Sequence, residues 1–489
     1  MREIVVNRSN LTLLFLISNF ATNKMRFLLY ILLAMAAAWG FSSCISDDVT
    51  SSPSARLEFS TDTVSFDTIF TDVGSTTARL RVFNRNKKGV VISSIRLRNP
   101  DSPFSLNVDG VSGDQFSNVE IRGGDSIFIF IECYLPESQA DRPYEVTDEL
   151  IFALNGNEQT VTIEAFGQNV TRLNGVTFDS DMTLTADRPY VVFDSLTVAP
   201  GATLRIEPGA RILFHDNAKL TVEGTIDARG LPGKMIQLRG DRLDNVLPDV
   251  GYDILAGQWH GVRIAAGSFD NHLEYVDMRS TVSGLTIDST ANTDRQKLTL
   301  VNSWLHNSQG TVIDSRYAKV DAYGCVFSEA ADAVVSLTGG SHLFSQCTIA
   351  NYYLFSVVSR PLLSLYHLLP DDAYDNPLPL MHADFNNCII YGLASDINCG
   401  DLTGADVFLR YTLLKSEGSD DDNFIHCLWG EDPLFETIRE DYYFNYELKE
   451  GSPAIDAGDP ALTAEPTLYD MNGVYRLSAG RPTLGAYAR

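Results

Sequence analysis

Positive charge is scarce in this chain. Its 489 residues carry 37 Lys and Arg against 63 Asp and Glu, a formal net charge of −26. A surface of that sign repels nucleic acid and other polyanions, so neither is an expected partner unless a local basic patch or bound cations intervene. Catalytic motifs are also missing. No Gly-rich phosphate loop, nucleophile elbow or zinc-binding run occurs, and the seven cysteines form neither a CxxC pair nor a Cys/His metal spacing. Asn-Gly turns between paired strands are sparse, which speaks against the plain run of antiparallel hairpins that is the alternative to the repeat described next.

What the chain has instead is a ladder of short apolar segments: LEYVDM, LTLVNSWL, VDAYGCVF, LFSQCTI, FNNCII and LRYTLL. Val276, Ser303, Cys325, Cys347, Cys388 and Thr412 form one column, with regular steps except for a long one between Cys347 and Cys388. A short period of this kind, rich in strand formers, indicates a solenoid whose turns bury their apolar faces by stacking. Two places on lie Met278, Leu305, Phe327, Ile349, Ile390 and Leu414, which period two puts on the same inward side. Three places before lie Leu273, Leu300, Ala322, Phe344, Phe385 and Leu409, an offset that breaks alternation and requires a bend between two strands. Asn302, Gly324 and Asn387 stand at that bend, as left-handed backbone angles favour. The cysteines of the column read as small buried packing residues with free thiols. The long step from Cys347 to Cys388 is close to two coils in length, and a single poorly matching coil with a long turn is the favoured reading over a projecting ligand loop.

These columns resemble the right-handed parallel β-helix of the pectin-lyase-like superfamily. VAPGATLRIEPGARILFHDNAKLTVEGTIDARG (198–230) is similar to the opening coils of such helices, and GQWHGVRIAAGS (257–268) to a further coil. The expected fold is all-β, a right-handed parallel β-helix solenoid over 170–440 with roughly ten coils, preceded by an immunoglobulin-like β-sandwich over 56–168. The order FDTIFTDVGSTTARLRVFNRNKKGVVISSIRL resembles immunoglobulin-like domains of exported bacterial proteins, which implies a stalk.

The termini carry address signals. Residues 25–44, MRFLLYILLAMAAAWGFSSC, resemble a bacterial lipoprotein signal peptide, which implies a signal region over 1–44, acylation of Cys44 and a start at Met25. The apolar run is too short for a lasting transmembrane helix. Ser46, Asp47 and Asp48 are similar to the acidic surface-export signal of Bacteroides-group lipoproteins, within a tether over 45–55. The implied location is the outer membrane of a Gram-negative cell, held by a lipid anchor and facing outward. At the other end, DPLF, GSPAIDAGDP, DMNGVYR and GRPTLGAYAR match in order the C-terminal signature of exported β-helix proteins. Residues 441–489 are expected to cap the last coil and protect its strand edges. Asp456, Asp459 and Asp470 have two readings, calcium ligands or acceptors for turn hydrogen bonds.

Members of that superfamily cleave polysaccharides with residues on one outer face, yet no such set is legible here. Asp371-Asp372 lacks companions, Asp420-Asp421-Asp422 reads as a solvated loop, and Arg263, Lys297, Arg316 and Lys319 align with no acidic motif. His260, His272, His306, His342 and His382 are expected at the surface. Within the long interval, Tyr366, His367 and Tyr374 are the candidate sugar platform. The reading is a surface protein that binds an extracellular glycan or other polymer without turnover and needs no cofactor. The alternatives are a polysaccharide lyase or glycoside hydrolase with an unfamiliar site, and a structural or adhesive envelope protein. An enzyme should bring an Arg or Lys and two or more carboxylates within about 4–6 Å in one groove, whereas a binder should show an aromatic strip without that convergence.

Overall fold

The computed structural model describes residues 48–139, 142–247, 249–368 and 379–489. Cys44, Ser46, Asp47, Asp371, Asp372 and Tyr374 therefore lie outside the described residues. The chain divides into two compact units, one of residues 48–65, 76–133 and 147–164, the other of 66–75, 134–146 and 165–489.

The first unit is built on two five-stranded antiparallel sheets. One orders Glu58–Phe59, Ala78–Phe83, Ser126–Cys133, Phe104–Val108 and Val111–Gly113; the other orders Thr63–Phe70, Asn157–Gln168, Tyr144–Leu154, Ser94–Leu97 and Gln115–Phe116. Alternation decides the core. Leu80, Val82, Ile129 and Ile131 on one sheet and Ile95, Phe152, Val161 and Ile163 on the other are 0% exposed. Phe59 meets Phe152 across the sheets with ring centroids 4.8 Å apart, as two inner faces of a sandwich do.

In the second unit the ladder is a parallel β-helix. A ten-stranded parallel sheet, here sheet A, runs from Met182–Leu184 to Phe424–Ile425. The remaining strands form an 18-stranded ladder that starts with Thr171–Phe178 and Tyr190–Val198 and then splits into two parallel stacks. Sheet B descends from Arg211–Phe214 to Leu428–Trp429, and sheet C from Lys219–Val222 to Ile397–Cys399.

The three columns are in register. Met278, Leu305, Phe327, Ile349, Ile390 and Leu414 pair in succession on sheet B, and Leu273, Leu300, Ala322, Phe344, Phe385 and Leu409 on sheet A. Between them the backbone turns through left-handed residues: Tyr275, Asn302, Gly324, Gln346, Asn387 and Tyr411 have φ of 48, 43, 63, 57, 54 and 49°. A Cβ on Gly324 would stand 2.3 Å from Asn302 Oδ1, so that rung needs glycine for space as well as angle. Cys325, Cys347 and Cys388 are fully buried free thiols. Burial raises the thiol pKa of Cys325 and Cys347, which makes them poor nucleophiles.

Cys347 and Cys388 belong to adjacent rungs, so the long step between them is one enlarged coil; its extra length lies in the connections 352–362 and 367–379. A second enlargement, 241–260, interrupts the coil between Ile236–Gly240 and Gly261–Ile264 and carries a small hairpin and a 3-10 turn at Tyr252–Ile254. The C-terminal segment, 441–489, makes contacts with several coils. It runs back along the side of the helix: Asn387 bonds Asp459, Ser345 bonds Leu462, Asn302 bonds Tyr469, and Leu484, Ala486 and Met471 pack with Val326, Ile389 and Leu413. At the last coil itself the Asp420 carboxylate accepts the N–H groups of His426 and Cys427 and the Trp429 indole, so this residue is more than part of a solvated loop.

Candidate functional site

The outward side of sheet B holds the chemistry. On the coils that begin at Val276 and Trp304, alternation turns Asp277 and Arg279, then Trp304 and His306, away from the core. Register places Asp277 beside Trp304 and Arg279 beside His306. The enlargement at 241–260 folds over them because the next backbone column anchors it: Ser280 Oγ donates to the Asp253 carbonyl at 2.7 Å, and Asn307 Nδ2 donates to the carbonyls of Asp253 and Ile254 at 2.8 and 3.0 Å. Ser280, Asn307 and Glu329 occupy that column with φ of 65, 57 and 49°. The strain of three left-handed residues without glycine is offset by these bonds and, at Glu329, by bonds from the Tyr446 and Ser328 hydroxyls.

A charged network lies beneath. Arg279 reaches Asp253 at 3.3 Å and Asp277 at 3.6 Å, Arg239 reaches Asp253 at 3.2 Å, and His306 Nε2 lies 3.1 Å from Asp277 Oδ1. Burial alone would raise the Asp277 pKa, but Arg279 and the His306 bond outweigh it and hold the carboxyl ionised. Burial also outweighs Asp277 at His306, whose pKa falls, so the imidazole is neutral at pH 7. A neutral ring that donates Nε2–H to Asp277 keeps Nδ1 as an acceptor. Glu329 is 2% exposed, and burial pushes its carboxyl up to about 7.

Three segments wall this network into a cavity of about 280 Å³: Asp249–Ile254 of the enlargement, Tyr353–Phe355 after strand Thr348–Asn351, and Tyr442–Phe444 of the tail. That volume is near the lower end for small-ligand sites. Trp304 stacks on His306 at 4.3 Å and is oriented by its indole bond to Ser328 Oγ at 2.9 Å. Phe355, Tyr442 and Tyr443 remain exposed at the rim. The convergence expected of an enzyme, an arginine meeting two carboxylates, therefore occurs here, with aromatic walls beside it.

The residues expected from sequence lie elsewhere. Tyr366 ends strand Leu363–Tyr366 half-buried, and His367 Nδ1 accepts the Leu380 N–H at 3.1 Å, closing the base of the long connection; neither lines the groove. Asp470 is buried and accepts the N–H groups of Asn472, Val474 and Ala488 at 2.9, 2.7 and 2.8 Å, while Asp459 caps the 3-10 turn Pro460–Leu462 through the Ala461 N–H. Asp456 is exposed with φ 53°. Among the described residues no group of three or more His, Cys, Asp or Glu could hold a metal ion, and no helix is long and apolar enough to cross a membrane.

Two histidines are not at the surface. His306 joins the groove, and His342 is buried with Nε2 donating to the Gly339 carbonyl at 2.8 Å, its pKa lowered to about 4 by burial. Lys297 is likewise buried, donating to the carbonyls of Ala265 and Ala266, its pKa lowered to about 8 by burial. Arg263 pairs with Asp288 at 2.5 Å. Sequence reasoning passed over Asp277, Arg279 and Trp304, although the register of the ladder already aligned Asp277 with Trp304 and Arg279 with His306. The enlargement was also legible: the paired residues Leu238 and Met278 lie much further apart in the chain than Leu305 and Phe327, the partners on a regular coil.

No protein-family profile and no curated protein matches the chain. Among solved structures, the PapD-like domain 7 of human CEP192 aligns at 14% identity over 24% of this chain and 89% of that one, TM-score 0.17. The Escherichia coli chaperone DraB aligns at 15% identity over 25% of this chain and 56% of its own length, TM-score 0.17. The catalytic unit of a thermostable GH87 α-1,3-glucanase from Streptomyces thermodiastaticus aligns at 10% identity over 76% of this chain and 91% of that one, TM-score 0.15. Likeness at these scores carries no argument about what the chain does.

Proposed function

We propose that this protein binds an extracellular glycan in the groove on sheet B, presented at the outer surface of a Gram-negative cell by a lipid on Cys44 and an immunoglobulin-like stalk. The observation that supports this most is the Trp304–His306 stack, set between hydrogen-bonding side chains and under exposed aromatic rims. A sugar ring needs that combination of flat apolar contact and polar edges. The test is to incubate the purified full-length protein with a glycan panel and score both retention and product. Trp304→Ala should weaken retention about tenfold, the loss of roughly 1.4 kcal/mol of stacking. Retention that survives the substitution would remove the groove from the account, and neither retention nor cleavage would favour an adhesive or structural role.

A second reading, turnover, is favoured by one feature. Glu329 lines the same groove and holds its proton near neutral pH, the condition a glycosidase acid must meet, and Arg279 converges there with two carboxylates. Release of reducing or unsaturated ends, lost in Glu329→Gln, would replace binding by hydrolysis or elimination.

A further inference from the structure

Resting on that reading of the groove, we infer that its ligand is built of uncharged hexosyl units and that glycans bearing uronate or sulfate groups are rejected. Arg279 lines the groove and Arg239 belongs to the network beneath, both facing carboxylates. Arg279 is divided between Asp253 and Asp277, and Arg239 is held by Asp253. An anionic sugar that drew either guanidinium away would compete with these carboxylates, because the Arg279 N–H left without a partner, at Nε, is itself buried, and the Asp277 side chain, 15% exposed, would then lose the partner that keeps its charge tolerable. His306 offers no cation either, because its ring is neutral and already donates to Asp277. The charge left over is the carboxylate of Asp249 at the exposed rim. A sugar carboxylate placed beside it meets like charge. A hydroxylated neutral ring meets acceptors for its O–H groups and aromatic faces for its C–H surface. Specificity therefore comes from a repulsive device as well as an attractive one.

The experiment is affinity electrophoresis of the full-length protein through gels containing neutral polymers (an α-glucan, a β-1,3-glucan and a mannan) or anionic ones (polygalacturonate, alginate and dermatan sulfate), at physiological salt. The expected result is retardation by at least one neutral polymer and by no anionic one, with retardation lost about tenfold in Trp304→Ala. Tyr443→Ala, at a rim position 62% exposed, repeats the test without disturbing the coil if Trp304→Ala fails to fold. Asp249→Asn, which keeps a residue tolerant of the left-handed backbone there, should strengthen residual anionic binding and leave neutral binding in place. Retardation by an anionic polymer that Trp304→Ala abolishes would overturn the charge inference and leave the groove standing. Retardation indifferent to Trp304 and Tyr443, or none by any polymer, would overturn both.

Discussion

Inner and outer columns of sheet B are one residue apart, and they obey different rules. The inner column, Met278 to Leu414, is apolar on every rung because each side chain meets the rung above and below inside the same solenoid. Its neighbour outside changes character along the helix. Trp304 lines the groove, whereas Val326, Ile389 and Leu413 are buried under a tail whose contact residues lie from Phe435 to Ala486. The inner pattern is a local consequence of stacking. The outer one depends on how closely the distant segment covers it, and only the stretch where that cover leaves a groove is free to carry chemistry.

The largest effect should come from opening the core in which the sheet A column faces the inner column of sheet B. Phe344 stacks on Phe385 at 5.0 Å and tilts against Phe327 at 5.7 Å, so Phe344→Ala should cost about 3–5 kcal/mol in chemical denaturation. A loss below about 1 kcal/mol would mean the column is not a packed core. Next is the tail. Asp470→Ala strips three backbone N–H groups of their acceptor, and Arg476 beside it donates to the carbonyls of Gly485 and Ala486. A cost of about 2–3 kcal/mol is expected, with proteolysis of the tail from about residue 450 before that of the coils. Simultaneous loss of tail and coils would erase the distinction between the two columns.

These expectations also show what was legible. The three columns, the bend and the free thiols followed from period and residue type, because stacking repeats one environment every coil. The side-lying tail was not legible, although CVF, CTIA and CIIY are apolar at consecutive positions, which is how a strand covered on both faces reads. The groove was missed for a related reason: its walls come from 249–254, 353–355 and 442–444, and proximity of such distant segments is a tertiary fact. Tyr366 and His367 had the right chemistry for a sugar platform, yet one finishes a sheet C strand and the other ties down a turn.

A smaller effect tests the Glu329 contact between coil and tail. Its folded pKa, about 7, stands above the ordinary 4.5, so the folded state holds a proton that the unfolded chain releases. That contribution is fully present below pH 4.5 and is lost as pH rises through 7. Subtracting the Glu329→Gln stability curve from that of the unaltered protein should leave a difference that falls between pH 4.5 and 7 and is flat on either side. A flat difference throughout would show that the carboxyl titrates normally. Smallest of all, Tyr366→Ala should change stability by about 0.5 kcal/mol or less and leave glycan retention unaltered, since its half-buried ring is remote from the groove lining. Lost retention would return the site to the long connection.

The central claim, that the groove-lining outer stretch of sheet B is the ligand site, is tested most directly by hydrogen–deuterium exchange of the full-length protein with and without a retained neutral glycan. Protection is predicted in 249–254, 304–307, 353–355 and 442–444 together. Protection confined to 359–380, or to the N-terminal antiparallel sheets, would contradict it.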